Sequence, residues 1–268
     1  MTIQLRNFAS LHLKKGFSMR IAKGLIFASL LAAGLIAAGA TAQAQDTIKI
    51  ATEGAYPPFN GKDASGELVG FDLDIAKALC EEIKAKCEIV AQDWDGIIPG
   101  LEAKKYDMIA ASMSITDERK QKVDFTDRYY TNHLRIVTKK GSGVTGPDAL
   151  VGKTVGAQRA TVSATWAEDK LGRRSTVKLY DTQTAAYSDL EAGRLEALVS
   201  DVYPAFDWLK DKPGFEFVGE KIDIDDKIGI AVRKGDPLRE KLNKALATIR
   251  SNGTYAKLNA KYFPFDIY

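Results

Sequence analysis

The sequence has few of the residues that metal centres and many catalytic sites require. It contains two cysteines and two histidines in 268 residues, and His12 falls in the N-terminal segment considered below. His133 and two cysteines are too few for a metal site, so we expect no metal. No nucleophile is paired with a base in any motif, which argues against nucleophilic catalysis. We therefore expect no catalytic residue and no cofactor.

Long apolar runs are equally scarce. The one long run covers residues 25–40, about 16 residues, which is short for a membrane span. Arg20 and Lys23 precede the run, and small residues at 42–44 follow it. This layout is that of a secretory signal peptide, which we predict over residues 1–44, so the rest of the chain is expected in the periplasm.

Removal of the predicted signal peptide also leaves the chain without a basic character. Residues 1–44 hold five of the 38 Lys and Arg residues and none of the 35 Asp and Glu residues, so the net charge changes from +3 to −2. No basic stripe remains, and we expect no nucleic-acid partner. Residues 1–18 fit poorly ahead of a signal peptide, which predicts that translation begins at Met19.

Two cysteines are present, and in an exported chain an even pair is expected to form a disulfide. Cys80 falls late in an amphipathic helical pattern, and Cys87 opens the next strand. A bridge between them would join the end of the helix to the start of the strand. We expect it to stabilise the protein by about 2–3 kcal/mol.

The chain is organised around residues 106–126. A short apolar strand at residues 108–111 ends in the hydroxyls of Ser112 and Ser114, and Arg119 follows one helical turn further on. Hydroxyls and a guanidinium in this order suit a carboxylate ligand. The alternative is a plain strand–loop–helix connection on which Arg119 is only solvated.

A second copy of this pattern favours the ligand interpretation. Residues 101–112 align with residues 190–201, and both read as a helix end, a tight turn and an apolar strand that stops at a polar residue. The first copy ends at Ser112 and the second at Asp201. Ligands of open α/β sheets bind outside the carboxyl ends of the strands. An arginine at one end and a carboxylate at the other would suit the two charges of an amino acid.

Other polar and aromatic residues follow predicted strands. Glu53 and Tyr56 follow the first strand, and two prolines stiffen their loop. The side chain of Trp94 either packs against its own part of the protein or faces a ligand. Thr161 opens a helix whose N-terminus could hold an anion, and Asp72 is predicted to cap the helix that starts near it.

Taken together, these motifs resemble the solute-binding proteins, family 3, of polar amino acid ABC importers, especially the lysine/arginine/ornithine-, histidine- and octopine/nopaline-binding members. The resemblance covers residue 48 to the end. It is carried by EGAYPPF at 53–59, GELVGFDLDIAKALC at 66–80, WDGIIPGLEAKKYDMIAASMSITDERK at 94–120, YSDLEAGRL at 187–195 and NGTYAKLNAKYF at 252–263.

The resemblance implies an α/β protein with the type II periplasmic-binding-protein fold, in which two open α/β sheets are joined by two hinge strands. Lobe 1 would comprise residues 45–130 and 232–268, and residues 131–231 would form the hinge and lobe 2. Such a protein is expected to be a monomer that closes on one small-molecule ligand. Its partner would be an inner-membrane ABC permease.

The resemblance also implies a role for each binding residue. Arg119 would pair with the ligand α-carboxylate, helped by Ser114 and the amide of Thr161, while Asp201 would hold the α-ammonium and Glu53 would face the far end of the side chain. One departure is that the turn at residues 158–161 lacks the usual glycine. The predicted binding residues are Glu53, Tyr56, Trp94, Ala111, Ser112, Ser114, Arg119, Thr161 and Asp201.

The predicted ligand is a basic amino acid. Glu53 places a carboxylate at the side-chain end, and Tyr56 and Trp94 offer faces that attract cations. Arginine, lysine, ornithine and protonated histidine all remain open, as do octopine and nopaline, because Met113 and Trp94 resemble opine binders.

Two other function classes compete with binding. Cyclohexadienyl dehydratases share this fold, and Glu53 or Asp201 could act as their acid. We expect no enzyme, because Asp201 is better explained as the ammonium partner. A receptor sensor domain is disfavoured, because a second membrane span is missing from the sequence.

Overall fold

A computed structural model describes residues 46–268 of the chain. The predicted signal peptide at residues 1–44 and the predicted start at Met19 lie outside the described residues. Within residues 46–268, no helix has both the length and the apolar composition needed to cross a membrane.

The strands of the described region form two five-stranded sheets and one small hairpin. They are β1 (Thr47–Thr52), β2 (Gly61–Lys62), β3 (Leu68–Val69), β4 (Lys86–Ala91), β5 (Met108–Ile109), β6 (Val123–Phe125), β7 (Tyr130–Lys139), β8 (Thr154–Gln158), β9 (Thr176–Tyr180), β10 (Ala197–Asp201), β11 (Phe215–Ile228) and β12 (Ala231–Arg233).

Helices connect the parallel strands and cover the sheets. They are α1 (Phe71–Glu82), α2 (Trp94–Glu102), α3 (Asp117–Lys120), α4 (Val162–Leu171), α5 (Gln183–Glu191), α6 (Val202–Leu209), α7 (Leu238–Ser251) and α8 (Thr254–Tyr262), with short 3₁₀ helices at Pro147–Leu150 and Gly172–Arg174. The apolar face predicted for the last long helix is buried in α7 at Leu242, Ala245, Leu246 and Ile249.

Both large sheets mix parallel and antiparallel strands. The first has the order β4-β1-β5-β12-β6, in which β1 runs parallel to β4 and β5 while β12 is antiparallel to β5 and β6. The second has the order β11-β7-β10-β8-β9, in which β8 runs parallel to β9 and β10 while β7 is antiparallel to β10 and β11. The α/β class predicted from the sequence is confirmed.

Each sheet carries an apolar cluster on both of its faces. Ile50 and Met108 belong to the cluster that α1 and α7 cover, while Ala51 and Ile109 belong to the cluster under α2. Successive residues of a strand point to opposite faces, which is why neighbours enter different clusters. The second sheet is enclosed in the same way by two further clusters. We call the first sheet with its helices lobe 1 and the second sheet with its helices lobe 2.

The chain crosses between the lobes twice. It leaves the first sheet after β6 and enters the second with β7, then returns between β11 and β12. Near these crossings β11 pairs with β7, since Ile228 lies opposite Tyr130. The division at residues 130 and 231 stays a prediction, and the two crossings are the feature that supports it.

The start of α1 corrects one prediction and the cysteines confirm another. Gly70, not Asp72, occupies the N-cap of α1, with φ of 139°. This backbone angle is open to glycine and strained for other residues, so the cap is set by conformation rather than by a side chain.

At the other end of α1, Cys80 is bonded to Cys87 with the two Cα atoms 6.1 Å apart, within the ordinary range.

Candidate functional site

Strand ends from both sheets meet around one cavity. β1 leads into Glu53, β8 ends at Gln158 and β10 ends at Asp201. The carboxyl ends of strands in open α/β sheets are where ligands bind. The residues that line the cavity are the nine predicted ones, Glu53, Tyr56, Trp94, Ala111, Ser112, Ser114, Arg119, Thr161 and Asp201, together with Gln158 and Val162.

Arg119 is held in place by main-chain carbonyls from both lobes. Its α3 helix is capped by Thr116, whose hydroxyl accepts from the Arg119 amide at 3.2 Å. The guanidinium donates to the carbonyls of Ser114 and Ala160, both at 2.9 Å. Burial lowers the pKa of Arg119, and the charge of Asp226 opposes this shift. The guanidinium stays charged and can clamp a carboxylate with its remaining donors.

Trp94 packs against the apolar cluster of lobe 1 under α2 and also lines the cavity, so both of the positions considered for this side chain are present. The Arg119 guanidinium carbon lies 5.2 Å from the centre of the indole ring, and the indole N–H donates to the Ala160 carbonyl at 3.2 Å. Ala160 has φ of 54°, in the left-handed region that glycine usually occupies. The turn at residues 158–161 therefore forms without a glycine. The Ala160 carbonyl accepts hydrogen bonds from both Trp94 and Arg119.

The N-terminus of α4 also faces the cavity. Thr161 caps this helix: its hydroxyl accepts from the Ala164 amide at 3.2 Å and donates to the Gln158 carbonyl at 2.7 Å. Thr161 and Val162 both line the cavity. Helix N-termini carry partial positive charge, so this end favours an anion beside Arg119.

Asp201 supplies the opposite charge. Its carboxylate accepts from the Tyr56 hydroxyl at 2.5 Å and from the Ser163 hydroxyl at 3.4 Å. Burial raises the pKa of Asp201 to about 6, and the nearby Asp226 carboxylate adds to the shift. A buried carboxylate of this kind gains from a cationic partner, because the cation restores the lost solvation of the charge. Tyr56 was predicted as an aromatic wall, and its hydroxyl also orients Asp201.

Ser112 turns its hydroxyl away from the cavity. It donates to Asp72 at 2.9 Å, and the same carboxylate accepts from Asn60 at 2.9 Å and from Tyr129 at 2.6 Å. Ser112 itself has φ of 51°. The buried Asp72 carboxylate thus fixes the strand end from behind, a tertiary role that replaces the predicted helix cap.

Glu53 meets a residue that the sequence interpretation missed. Gln158 donates to the Glu53 carboxylate at 2.7 Å across the cleft. Burial raises the pKa of Glu53 to about 7, with further contributions from the charges of Asp93 and Asp95. A polar residue at the end of a buried strand was the signal that identified Asp201. The same signal would have identified Gln158 at the end of β8.

Polar contacts join the two lobes across the cavity. Tyr56 and Glu53 of lobe 1 bond to Asp201 and Gln158 of lobe 2, and Arg119 bonds to the Ala160 carbonyl. The cavity therefore holds one cation and two acids at separate points. Among residues 46–268, no three His, Cys, Asp or Glu side chains lie close enough together to hold a metal ion.

The described chain matches one protein family over most of its length. Residues 48–265 match the bacterial extracellular solute-binding proteins, family 3. A similar curated protein is the L-arginine-binding protein of Pseudomonas aeruginosa, 43% identical over 85% of this chain and 92% of the relative. The lysine/arginine/ornithine-binding periplasmic protein of Escherichia coli (strain K12) is 38% identical over 92% of this chain and 98% of the relative.

Solved structures give the same result for the fold. An ancestral arginine-binding protein bound to arginine has a TM-score of 0.77 and 40% identity, covering 82% of this chain and 99% of its own. An ancestral amino acid-binding protein described as a precursor of cyclohexadienyl dehydratase has a TM-score of 0.76 and 35% identity, covering 81% and 95%. The predicted two-lobed, type II fold is confirmed by these likenesses.

Proposed function

Because this chain belongs to the bacterial extracellular solute-binding proteins, family 3, we propose that it binds one basic amino acid in the periplasm and delivers it to an inner-membrane ABC permease. The observation that carries the proposal is that Arg119, Asp201 and Glu53 line a single cavity. The cation suits the α-carboxylate, and the two acids suit the α-ammonium and a cationic side chain. The names of the arginine- and lysine-binding relatives support the same class of ligand.

The side-chain end of the cavity favours arginine among the basic amino acids. Glu53 and Gln158 present a carboxylate and an amide side by side, 2.7 Å apart at their closest atoms. A planar guanidinium can donate to both at once, whereas a lysine ammonium acts as a point charge.

A binding screen tests this proposal. The purified protein is unfolded and refolded to remove any ligand carried through purification, then tested by thermal shift and calorimetry with the twenty amino acids, ornithine, octopine and nopaline. We expect arginine to give the largest shift, followed by lysine, ornithine and histidine. The proposal is wrong if glutamate or leucine gives the largest shift and the basic ligands give none.

Closure of the two lobes on the ligand is part of the same proposal. The two chain crossings and the polar contacts across the cleft support a hinge motion of the kind common in such proteins. Small-angle scattering should give a smaller radius of gyration with arginine than without it, and a mass of one chain, as expected for a monomer. An unchanged radius at saturation would contradict closure, and a doubled mass would contradict the monomer.

A dehydratase is the second candidate, because one similar structure is described as a precursor of such an enzyme. Burial raises the pKa of Glu53 to about 7, so a protonated acid is available in the cavity at neutral pH. Against it, Asp201 is better explained as the partner of an α-ammonium, which prephenate lacks. We therefore propose a binding protein without catalysis. Incubation with prephenate tests this, and accumulation of phenylpyruvate would favour the enzyme.

A further inference from the structure

Asp226 and Asp201 lie on the two strands that flank β7, although Asp226 is not among the residues that line the cavity. β7 runs between β10 and β11, with Asp201 opposite Leu134 and Asp226 opposite Asn132. Residues 132 and 134 share one face of β7, since side chains alternate along a strand. The two carboxylates therefore flank β7 on the same face, two positions apart.

Asn132 connects the two acids. Its amide nitrogen donates to the Asp226 carboxylate at 2.8 Å, and its hydrogen bonding also lowers the pKa of Asp201. The amide oxygen of Asn132 is buried and has no hydrogen-bond partner among the described residues. Buried acceptors of this kind are rare, because each unmade hydrogen bond costs free energy. Within residues 46–268, the cluster around Asn132 therefore lacks one hydrogen-bond donor.

The two carboxylates of the pair carry more negative charge than the nearby cation can neutralise. The two carboxylates are 8% and 6% exposed, and the cation that acts on both is Arg119. Two buried carboxylates close together do not ionise independently, so one tends to keep its proton. The other polar and titratable groups that face the pair are Tyr56, Ser163, Ser114, Tyr130, Tyr187 and Asp225. Asp226 also shares a surface pocket with His133, Tyr203, Lys221 and Asp223, of which Lys221 is paired with Asp223.

We propose that Asp201 and Asp226 share one proton in the unliganded protein, and that the α-ammonium of the incoming amino acid displaces this proton to the solvent. Asp226 is then a positioning residue, which acts on the ligand through the charge of Asp201. This inference rests on the proposed function. Burial raises the pKa of both acids, that of Asp201 to about 6, and a bound ammonium would lower it again.

Proton release is measured by calorimetry with arginine at pH 6 in buffers of different ionisation enthalpy. We expect the pair to release about half a proton, since pH 6 is close to the pKa of Asp201. Glu53 also titrates near this pH, so the informative quantity is a difference between variants. Asp226→Asn should release less than the wild type, because burial still raises the pKa of Asp201 but the Asp226 charge no longer adds to the shift. Its affinity should also weaken less than that of the wild type between pH 7.5 and pH 5.

Glu220→Gln is the matched control. Glu220 is an exposed acid on the same strand and does not act on either carboxylate of the pair. This variant should keep the wild-type proton release and pH profile, because its charge is solvated. Equal proton counts and equal pH profiles for Glu220→Gln and Asp226→Asn would overturn the inference.

A second measurement covers the case in which Asp226→Asn does not fold. Glu53→Gln removes the other carboxylate that titrates near pH 6, and arginine binding to this variant should still release about half a proton. Zero release would overturn the inference while leaving the proposed function intact. If arginine, lysine, ornithine and histidine all fail to bind the wild type, the proposed function fails and this inference fails with it.

Discussion

The two copies of the helix–turn–strand pattern, residues 101–112 and 190–201, lead the chain to one cavity, where a cation follows the first copy and a carboxylate ends the second. Both begin at a helix end, turn through a residue with positive φ, Lys104 or Gly193, and enter a short buried strand. In the first copy the strand stops at Ile109 and Ser112 bonds to a buried acid. In the second the strand continues to Asp201, whose carboxylate lines the cavity.

The two copies differ in the segment after the strand rather than in the pattern itself. In lobe 1, the short helix α3 comes next and brings Arg119 to the cavity. In lobe 2, the strand end itself carries the charge. The same helix–turn–strand unit thus brings the chain to the cleft in both lobes. The charge that each lobe contributes to the cavity depends on the residue that follows or ends the strand, Arg119 in lobe 1 and Asp201 in lobe 2.

The largest effect is expected from the arginine that lies beyond the first copy. Arg119→Ala removes charge-assisted bonds to the ligand carboxylate and should weaken arginine binding by roughly 3–5 kcal/mol. Arg194→Ala is the control from the second copy, because Arg194 is exposed and bonds to Asp189 away from the cavity. Calorimetry on both variants checks the prediction. Undiminished binding by Arg119→Ala would refute the role of Arg119.

The acid that ends the second copy should have the next largest effect. Asp201→Asn leaves the α-ammonium without its charged partner and should cost about 2–4 kcal/mol of binding free energy. Asp211→Asn, an exposed acid of the same lobe, serves as the control. If the two variants bound arginine equally well in calorimetry, Asp201 would not be the ammonium partner.

The disulfide distinguishes lobe 1 from lobe 2 within the described residues. Replacing Cys80 and Cys87 together by serine should lower the free energy of unfolding by about 2 kcal/mol, because the unfolded chain gains freedom. The melting temperature should fall by about 4–8 °C. Arginine affinity at 25 °C should stay within a factor of about two, since the bridge lies at the far end of α1. A large loss of affinity would show that the bridge also shapes the site.

The smallest effect is expected in the free energy of unfolding, through its dependence on the pH at which Glu53 ionises. An acid whose pKa is raised on folding binds its proton more tightly in the folded state, so stability falls as pH rises from about 4.5 towards 7. Glu53→Gln should therefore stabilise the unliganded protein at pH 8 by on the order of 1–2 kcal/mol, allowing for partial exposure, and leave it unchanged at pH 4.

Melting curves at the two pH values measure this difference, with Glu102→Gln, an exposed acid at the end of α2, as the control. The same Glu53→Gln protein should bind arginine more weakly at pH 8, because the carboxylate that faces the guanidinium is gone. A gain in stability that did not depend on pH would mean that Glu53 is not the titrating group.

The sequence by itself determined where the buried strands end and which polar residues stand at those ends. Apolar runs of strand length that end at Ser112 and Asp201 are local patterns, and local patterns survive in any fold that buries the run. The disulfide was predictable for the same reason, because Cys80 and Cys87 are seven residues apart. The nine predicted residues line one cavity because strand ends collect at one edge of a sheet.

Only the tertiary structure decided which of these groups contact one another. Gln158 reaches Glu53, and Asp226 reaches Asn132 beside Asp201, across 105 and 94 residues of sequence respectively. Sheet order and the two crossings between the lobes bring these groups together. Neither feature can be predicted from the hydrophobic periodicity of a single segment. The pKa values near 6 and 7 arise in the same way, because burial is a property of the folded chain that no single segment carries.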